Sequence, residues 1–239
     1  MKKTFCIIIS VIIAFSLIIS ALYASIALFA FNINFYKSEY IKNDTYSVVR
    51  MEESDLIGVT EHMIKYLHGG EKDLQIQTTV NDEARGFFSE IELDHMVDVL
   101  FILFVIQVLA IISIVCLIVF IPIIALTKSF RLMLKTVLIT ILSFAGLMLI
   151  LTAVSAINFD AVFVLFHEIF FNNDKWILNP AVDLLINIVP FQFFVDIALY
   201  AAISFLSMLA AVCIACAVTL KLTTPKRRSG IYNKYNAIN

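Results

Sequence analysis

The sequence predicts a mainly α, polytopic membrane protein: four transmembrane helices, a small mixed α/β extracytoplasmic cap and a second outer segment of interfacial helices. Three observations lead there. Hydrophobic residues make up 61% of the 239 and charged residues only 15%, where soluble domains run near a quarter charged. Four stretches carry no charge at all: 4–36, 99–127, 136–159 and 197–220. Each exceeds the roughly 20 apolar residues that a helix needs to cross a hydrocarbon core of about 30 Å. Finally, the charges are segregated. Lys2, Lys3, Lys128, Arg131, Lys135, Lys221, Lys226, Arg227, Arg228 and Lys234 occupy the two ends (1–3 and 221–239) and the short loop 128–135, where there is no Asp or Glu. All 19 acidic residues fall in segments 37–98 and 160–196. By the positive-inside rule, both ends and the short loop face the cytoplasm, and the two acidic segments lie outside.

Taken in order, the first apolar run follows Lys2 and Lys3 but is longer than the core of about 7–15 residues in a signal peptide, so it reads as a retained span. In the 62-residue segment 37–98, Ser54 is positioned to cap a helix. Leu56, Val59, Met63 and Leu67 recur at helical spacing, and Gly69-Gly70 stops the pattern. Leu74–Val80 reads as a strand, Asn81-Asp82 as a turn, and Tyr46–Val49 as the strand's partner. Off the apolar face of this helix, His62 and His68 read as solvent-exposed.

Segment 160–196 is nearly as apolar as a span, but it is broken by Asn, Asp and two prolines. A fifth span would carry Lys226-Arg227-Arg228 outside and place Asp183, Asn187 and Pro190 in hydrocarbon. Two short interfacial helices fit better: 161–171, and 180–189 with Asn179 as cap, Pro180 in the first turn and Pro190 as stop. Trp176, the only tryptophan, suits an interfacial anchor between them. The basic tail reads as a topology anchor.

The chemistry-bearing residues are few. Cys6, Cys116, Cys213 and Cys216 lie within the spans, mostly toward the cytoplasmic half, so Cys213-x-x-Cys216 reads as apolar packing rather than a redox pair. No His-x-x-x-His or Cys/His cluster, phosphate loop or serine elbow is present, so no metal and no cofactor are expected. The acidic outer face gives nucleic-acid binding no support. Two histidines remain. His95 stands at the start of the second span, with Asp94 beside it and Asp98 a turn along; His167 interrupts an aromatic stretch and precedes Glu168. A histidine in an apolar helix is costly without a partner. From the residues alone, a functional pair and two packing histidines bonded to backbone are both open.

The string Phe166-His167-Glu168-Ile169-Phe170-Phe171-Asn172-Asn173-Asp174-Lys175-Trp176, followed by Asn179-Pro180, Asp183 and Pro190-Phe191-Gln192-Phe193-Phe194, resembles the bacterial lipoprotein intramolecular transacylases. Asp94-His95-Met96-Val97-Asp98-Val99 is similar to a second motif of that family. The resemblance implies a membrane-bound acyltransferase whose substrates are diacylated membrane lipoproteins. It implies transfer of the sn-2 acyl chain of the diacylglyceryl group to the α-amino group of the N-terminal cysteine, giving a lyso-form N-acylated product. On that reading His95 and His167 are the expected catalytic residues, His167 as general base and His95 as its partner in orienting the substrate or relaying the proton, with the roles exchangeable and Asp98 or Asp94 holding His95. Arg85, Asn172, Trp176 and Asn179 are the expected substrate-binding groups, and Asp183 is either one of these or a helix-capping carboxylate. The competing readings are a non-enzymatic envelope protein that binds a partner through its cap, a transporter, and a membrane redox enzyme. The transporter is weakened by spans without charge, and the redox enzyme by cysteines on the wrong side.

Overall fold

The computed structural model describes residues 3–224; Lys2 and most of the basic tail, including Lys226-Arg227-Arg228 and Lys234, lie outside the described residues. Among the described residues four helices are long and apolar enough to cross a membrane: α1 (Lys3–Ala30), α5 (Glu90–Ala125), α6 (Phe130–Ile157) and α9 (Phe191–Leu222). Between them lie α2 (Ile33–Lys42), α3 (Thr45–Val49), α4 (Glu53–Leu67), the strands β1 (Gln77–Val80) and β2 (Glu83–Gly86), α7 (Phe159–Phe170) and the single turn α8 (Leu185–Ile188).

Of the four long helices α1 is the most enclosed, because it packs on α5, α6 and α9 together. Its buried positions alternate large and small: Ile9, Ile13 and Ile18 among Cys6, Ser10, Ala14, Ser16 and Ser25. Small residues let helices approach closely where lipid removes the hydrophobic drive for association. Ile124, Val137, Ile141, Phe205 and Leu209 from the other three helices complete this core.

The charge-free run 4–36 is not one helix. Asn32 is extended, and its side chain accepts the Asn34 N–H, so a second helix starts at Ile33. That helix, α2, buries Phe35, Tyr36 and Tyr40 in a second core at one end of the bundle, which we call the cap end. Leu56, Val59, Met63 and Leu67 of α4 enter the same core, as the spacing predicts. Gly69, at φ 82°, supplies the left-handed residue that ends α4. Tyr40 and Thr60 join α2 to α4 through a buried hydroxyl contact of 2.8 Å. His62 is half-buried rather than exposed, with Nε2 2.9 Å from the Asp73 carbonyl; His68 is exposed.

Three further local expectations fail. Ser54 lies inside α4, whose N-cap is the extended residue Glu52, so it does not cap that helix. Tyr46–Val49 is part of helix α3, not a strand; β1 pairs instead with β2, in the register Val80 to Glu83. Asn81 and Asp82 both adopt positive φ, the two-residue hairpin turn that brings the next residues back at once, and so short a loop closes at lower entropic cost. The second predicted interfacial helix shrinks to α8. The Asp183 carboxylate accepts the Asn179 N–H at 2.7 Å, and Asn179 Oδ1 accepts from Ala181 N, so residues 179–183 are held as a turn and Pro180 opens no helix.

Candidate active site

The site is built where the first turns of α5 meet the segment from α7 to α8. Ser89 caps α5 in a reciprocal capping box: its hydroxyl accepts from Glu92 N, and Glu92 Oε2 accepts from Ser89 N at 2.6 Å. Glu92 is fully buried because its other oxygen accepts the Leu185 N–H at the start of α8. Ser89 Oγ also donates to Asp183 Oδ1 at 2.9 Å. One turn further along α5, Asp98 accepts from Asn173 Nδ2 at 2.9 Å, and exposed Asp94 pairs with Lys175 at 2.9 Å. Four polar contacts thus tie the start of α5 to residues 173–185. His95 sits among them, 8% exposed.

Asn158 opens α7 by accepting from Ala161 N, and His167 is the one buried residue of that helix. The two imidazoles lie together, with ring centroids 6.1 Å apart. Around His167 stand Phe163 at 4.2 Å, Trp176 at 4.7 Å and Phe171 at 5.4 Å; Phe171 also meets His95 at 5.2 Å. His167 Nδ1 is 2.7 Å from the Phe163 carbonyl. A carbonyl only accepts, so Nδ1 carries the proton, and the neutral ring presents Nε2 as a free base. Burial pushes the His167 pKa below its ordinary value, against the opposing pull of that carbonyl, which favours the neutral ring. His95 Nδ1 is buried and finds no hydrogen-bond partner among the described residues.

Of the residues singled out in the sequence, the structure brings His95, His167 and Trp176 into one cluster, with Asp94 and Asp98 on the same turns of α5. Neither carboxylate bonds to His95; both hold the loop after α7. Asp183 braces the cap of α5. Asn172 and Asn179 are exposed, and Arg85 is exposed on β2, donating to the Gly86 carbonyl. Sequence reasoning missed Glu92, Asn173 and Lys175. Ser89-x-x-Glu92 was legible as a capping box, whereas Asn173 and Lys175 carry no local signal. Among the described residues no group of three or more His, Cys, Asp or Glu is placed to hold a metal ion.

The sequence pattern of the lipoprotein intramolecular transacylases (Lit) matches residues 11–194, a stretch that contains both histidines and the whole cap. The chain belongs to this family. A member of it is a membrane-integral acyltransferase that moves an acyl group within a lipoprotein. Three solved structures of the Lit transacylase from Bacillus cereus, two of them of variants, share the fold. The first superposes with a TM-score of 0.78 at 21% identity, covering 92% of this chain and 98% of that one. The second, a histidine-to-arginine variant of the same protein, gives 0.68 at 23% identity, with 92% of each chain covered. The third, a histidine-to-alanine variant, also gives 0.68 at 23%, covering 92% of this chain and 93% of that one. No curated protein sequence matches this chain significantly.

Proposed function

We propose that this Lit transacylase moves the sn-2 acyl chain of a diacylglyceryl lipoprotein onto the α-amino group of its N-terminal cysteine, with His167 as general base and His95 as its partner. The observation that carries the reading is the 2.7 Å contact between His167 Nδ1 and the Phe163 carbonyl, beside a second buried imidazole. It leaves Nε2 of a neutral ring free to accept a proton.

In this scheme the amine nitrogen attacks the sn-2 ester carbonyl and its proton passes to His167 Nε2. The tetrahedral intermediate collapses, the carbon–oxygen bond breaks, and the departing sn-2 oxygen takes a proton from an imidazolium. One proton leaves nitrogen and one reaches oxygen, so the ring is restored without an outside acid. His95 receives or relays that proton, or orients the ester through its unpartnered Nδ1. Donor and acceptor belong to one substrate, so no enzyme nucleophile is required; good orientation alone is worth roughly 7–11 kcal/mol. Trp176 and Phe163 pack on the His167 ring and hold its direction. Asp98 and Asp94 act through Asn173 and Lys175, fixing the loop that carries Trp176. Among the remaining polar candidates, exposed Asn172 directly follows Phe171, whose ring meets both imidazoles, and is the one we assign to the ester oxygen.

Charge segregation supports placing this end at the outer leaflet of a bacterial cytoplasmic membrane, with both chain ends inside. Lys128, Arg131, Lys135 and Lys221 stand at the opposite ends of α5, α6 and α9. A crossover experiment tests the reaction itself. Lipoprotein carrying both a deuterated sn-2 chain and a heavy peptide is mixed with unlabelled lipoprotein and the enzyme. Mass spectrometry should find the deuterated amide only on heavy peptide; deuterated chains on light peptide would refute an intramolecular transfer.

A further inference from the structure

We infer that the groove between α1, α6 and α9 holds an acyl chain of the lipoprotein substrate and sets the chain length the enzyme accepts; this rests on the reading of the histidine pair as the reaction centre. The groove has a volume of about 200 Å³ and is walled by Ser25, Met148, Thr152, Ala198, Ala201 and Ala202. Pockets for drug-sized ligands run about 300–1,000 Å³. This one is smaller and lined mainly by apolar side chains, which suits a stretch of hydrocarbon.

Its polar side chains are turned away from a ligand. Ser25 Oγ donates to the Leu22 carbonyl at 2.8 Å and Thr152 Oγ1 to the Met148 carbonyl at 2.9 Å, so both hydroxyls are satisfied within their own helices. The wall that remains is methyl and methylene, which suits an acyl tail and repels water. The floor is alanine at three positions of α9, where any larger side chain would fill the space.

The groove also lies in the right place. Phe163, in contact with His167, packs on Phe191 at 6.0 Å and on Phe194 at 5.3 Å in the first turn of α9. Ala198 follows Phe194 by four residues, on the same helix face. At about 1.5 Å per residue, the groove runs along α9 from Ala198, about 2 Å inside the charge-free stretch that begins at Ile197, to Leu206, about 14 Å inside it. That range covers the leaflet next to the histidines, half of a hydrocarbon core of about 30 Å. A second groove, between α1 and α5, is lined by Val11–Ile19 and Leu109–Cys116, toward the far end of the bundle, and has no such continuity with the site.

The test is a competition in one vessel between lipoproteins bearing short and long acyl chains, with products resolved by mass spectrometry. The ratio of the two products does not depend on how much enzyme is folded. Ala202→Phe should shift that ratio toward the short chain about tenfold or more, the scale on which hydrophobic pockets discriminate methylenes. Met148→Ala, which widens the groove, should shift it the other way. An unchanged ratio in both variants, whether total activity is kept or lowered, overturns the assignment and means that ordinary bilayer lipid covers this face. If Ala202→Phe gives no product, Ala202→Val and Met148→Ala supply the ratio. A failure of the histidine reading would appear separately, as conversion persisting in His167→Ala.

Discussion

Glu92→Gln should destabilise the protein by about 1–3 kcal/mol, because Glu92 is fully buried and each of its oxygens accepts a different backbone N–H, Ser89 on one side and Leu185 on the other. A glutamine of the same shape keeps one acceptor and turns an NH₂ group toward the other donor. One hydrogen bond is lost, and a buried N–H faces a second donor. Glu92→Ala removes both bonds and half of the capping box, and should cost more, about 3–5 kcal/mol. For a chain of this size each kcal/mol moves the thermal midpoint by about 2–4 °C, so the glutamine variant should melt about 2–12 °C lower in detergent. His95 lies one turn beyond Glu92, and α8 is held through the same carboxylate, so activity should fall along with stability. A glutamine variant as stable as the parent would refute the view that this carboxylate pins α5 to the segment after α7.

Three further predictions follow from the same contacts. Asp98→Ala should lower stability by about 0.5–1.5 kcal/mol by deleting the half-buried bond to Asn173, whereas Asp94→Ala should leave the melting temperature unchanged, because its pair with Lys175 is exposed. Burial holds the folded-state pKa of His167 below the unfolded value of about 6.5, so as pH falls the unfolded chain binds that proton first. The His167 contribution is therefore present above about pH 6.5 and is lost below it, and the thermal midpoint measured from pH 7 to pH 5 should fall more steeply in the parent than in His167→Phe; equal slopes would contradict this. Cys213 lies about 33 Å along α9 from Phe191, at 1.5 Å per residue, so a membrane-impermeant thiol reagent outside intact cells should not label Cys213 or Cys216, and strong labelling would reverse the proposed orientation.

Much of this was legible in the sequence, because a bilayer enforces simple rules. The four spanning helices show as charge-free runs, α4 as a helical spacing of Leu56, Val59, Met63 and Leu67, and the hairpin turn as Asn81-Asp82. What was lost depends on contacts distant in sequence. Glu92 reads locally as half of a capping box, but its bond to Leu185, 93 residues away, ties the start of α8 to α5, and the turn over 179–183 that shortens α8 rests on Asp183 and Asn179. Asp94 and Asp98 looked like braces for His95, because sequence distance cannot tell which face of α5 meets the loop holding Asn173 and Lys175. Tyr46–Val49 has the composition of a strand, yet it curls into α3 once the hairpin turn gives β1 a nearer partner. The histidine pair was suggested by two motifs 72 positions apart; its proximity, and the carbonyl that fixes the tautomer of one ring, belong to the fold alone.

The most direct test of the proton-transfer account is single-turnover conversion of a purified diacylated lipoprotein by parent, His167→Gln and His95→Gln proteins, each first shown to be folded, with the acyl position read by mass spectrometry. Loss of a positioned acid or base costs about 10²–10⁴-fold in rate, and the account predicts a fall in that range for His167→Gln, a substantial fall for His95→Gln, and losses that do not add in the double variant. Full-rate conversion by both single variants would contradict it.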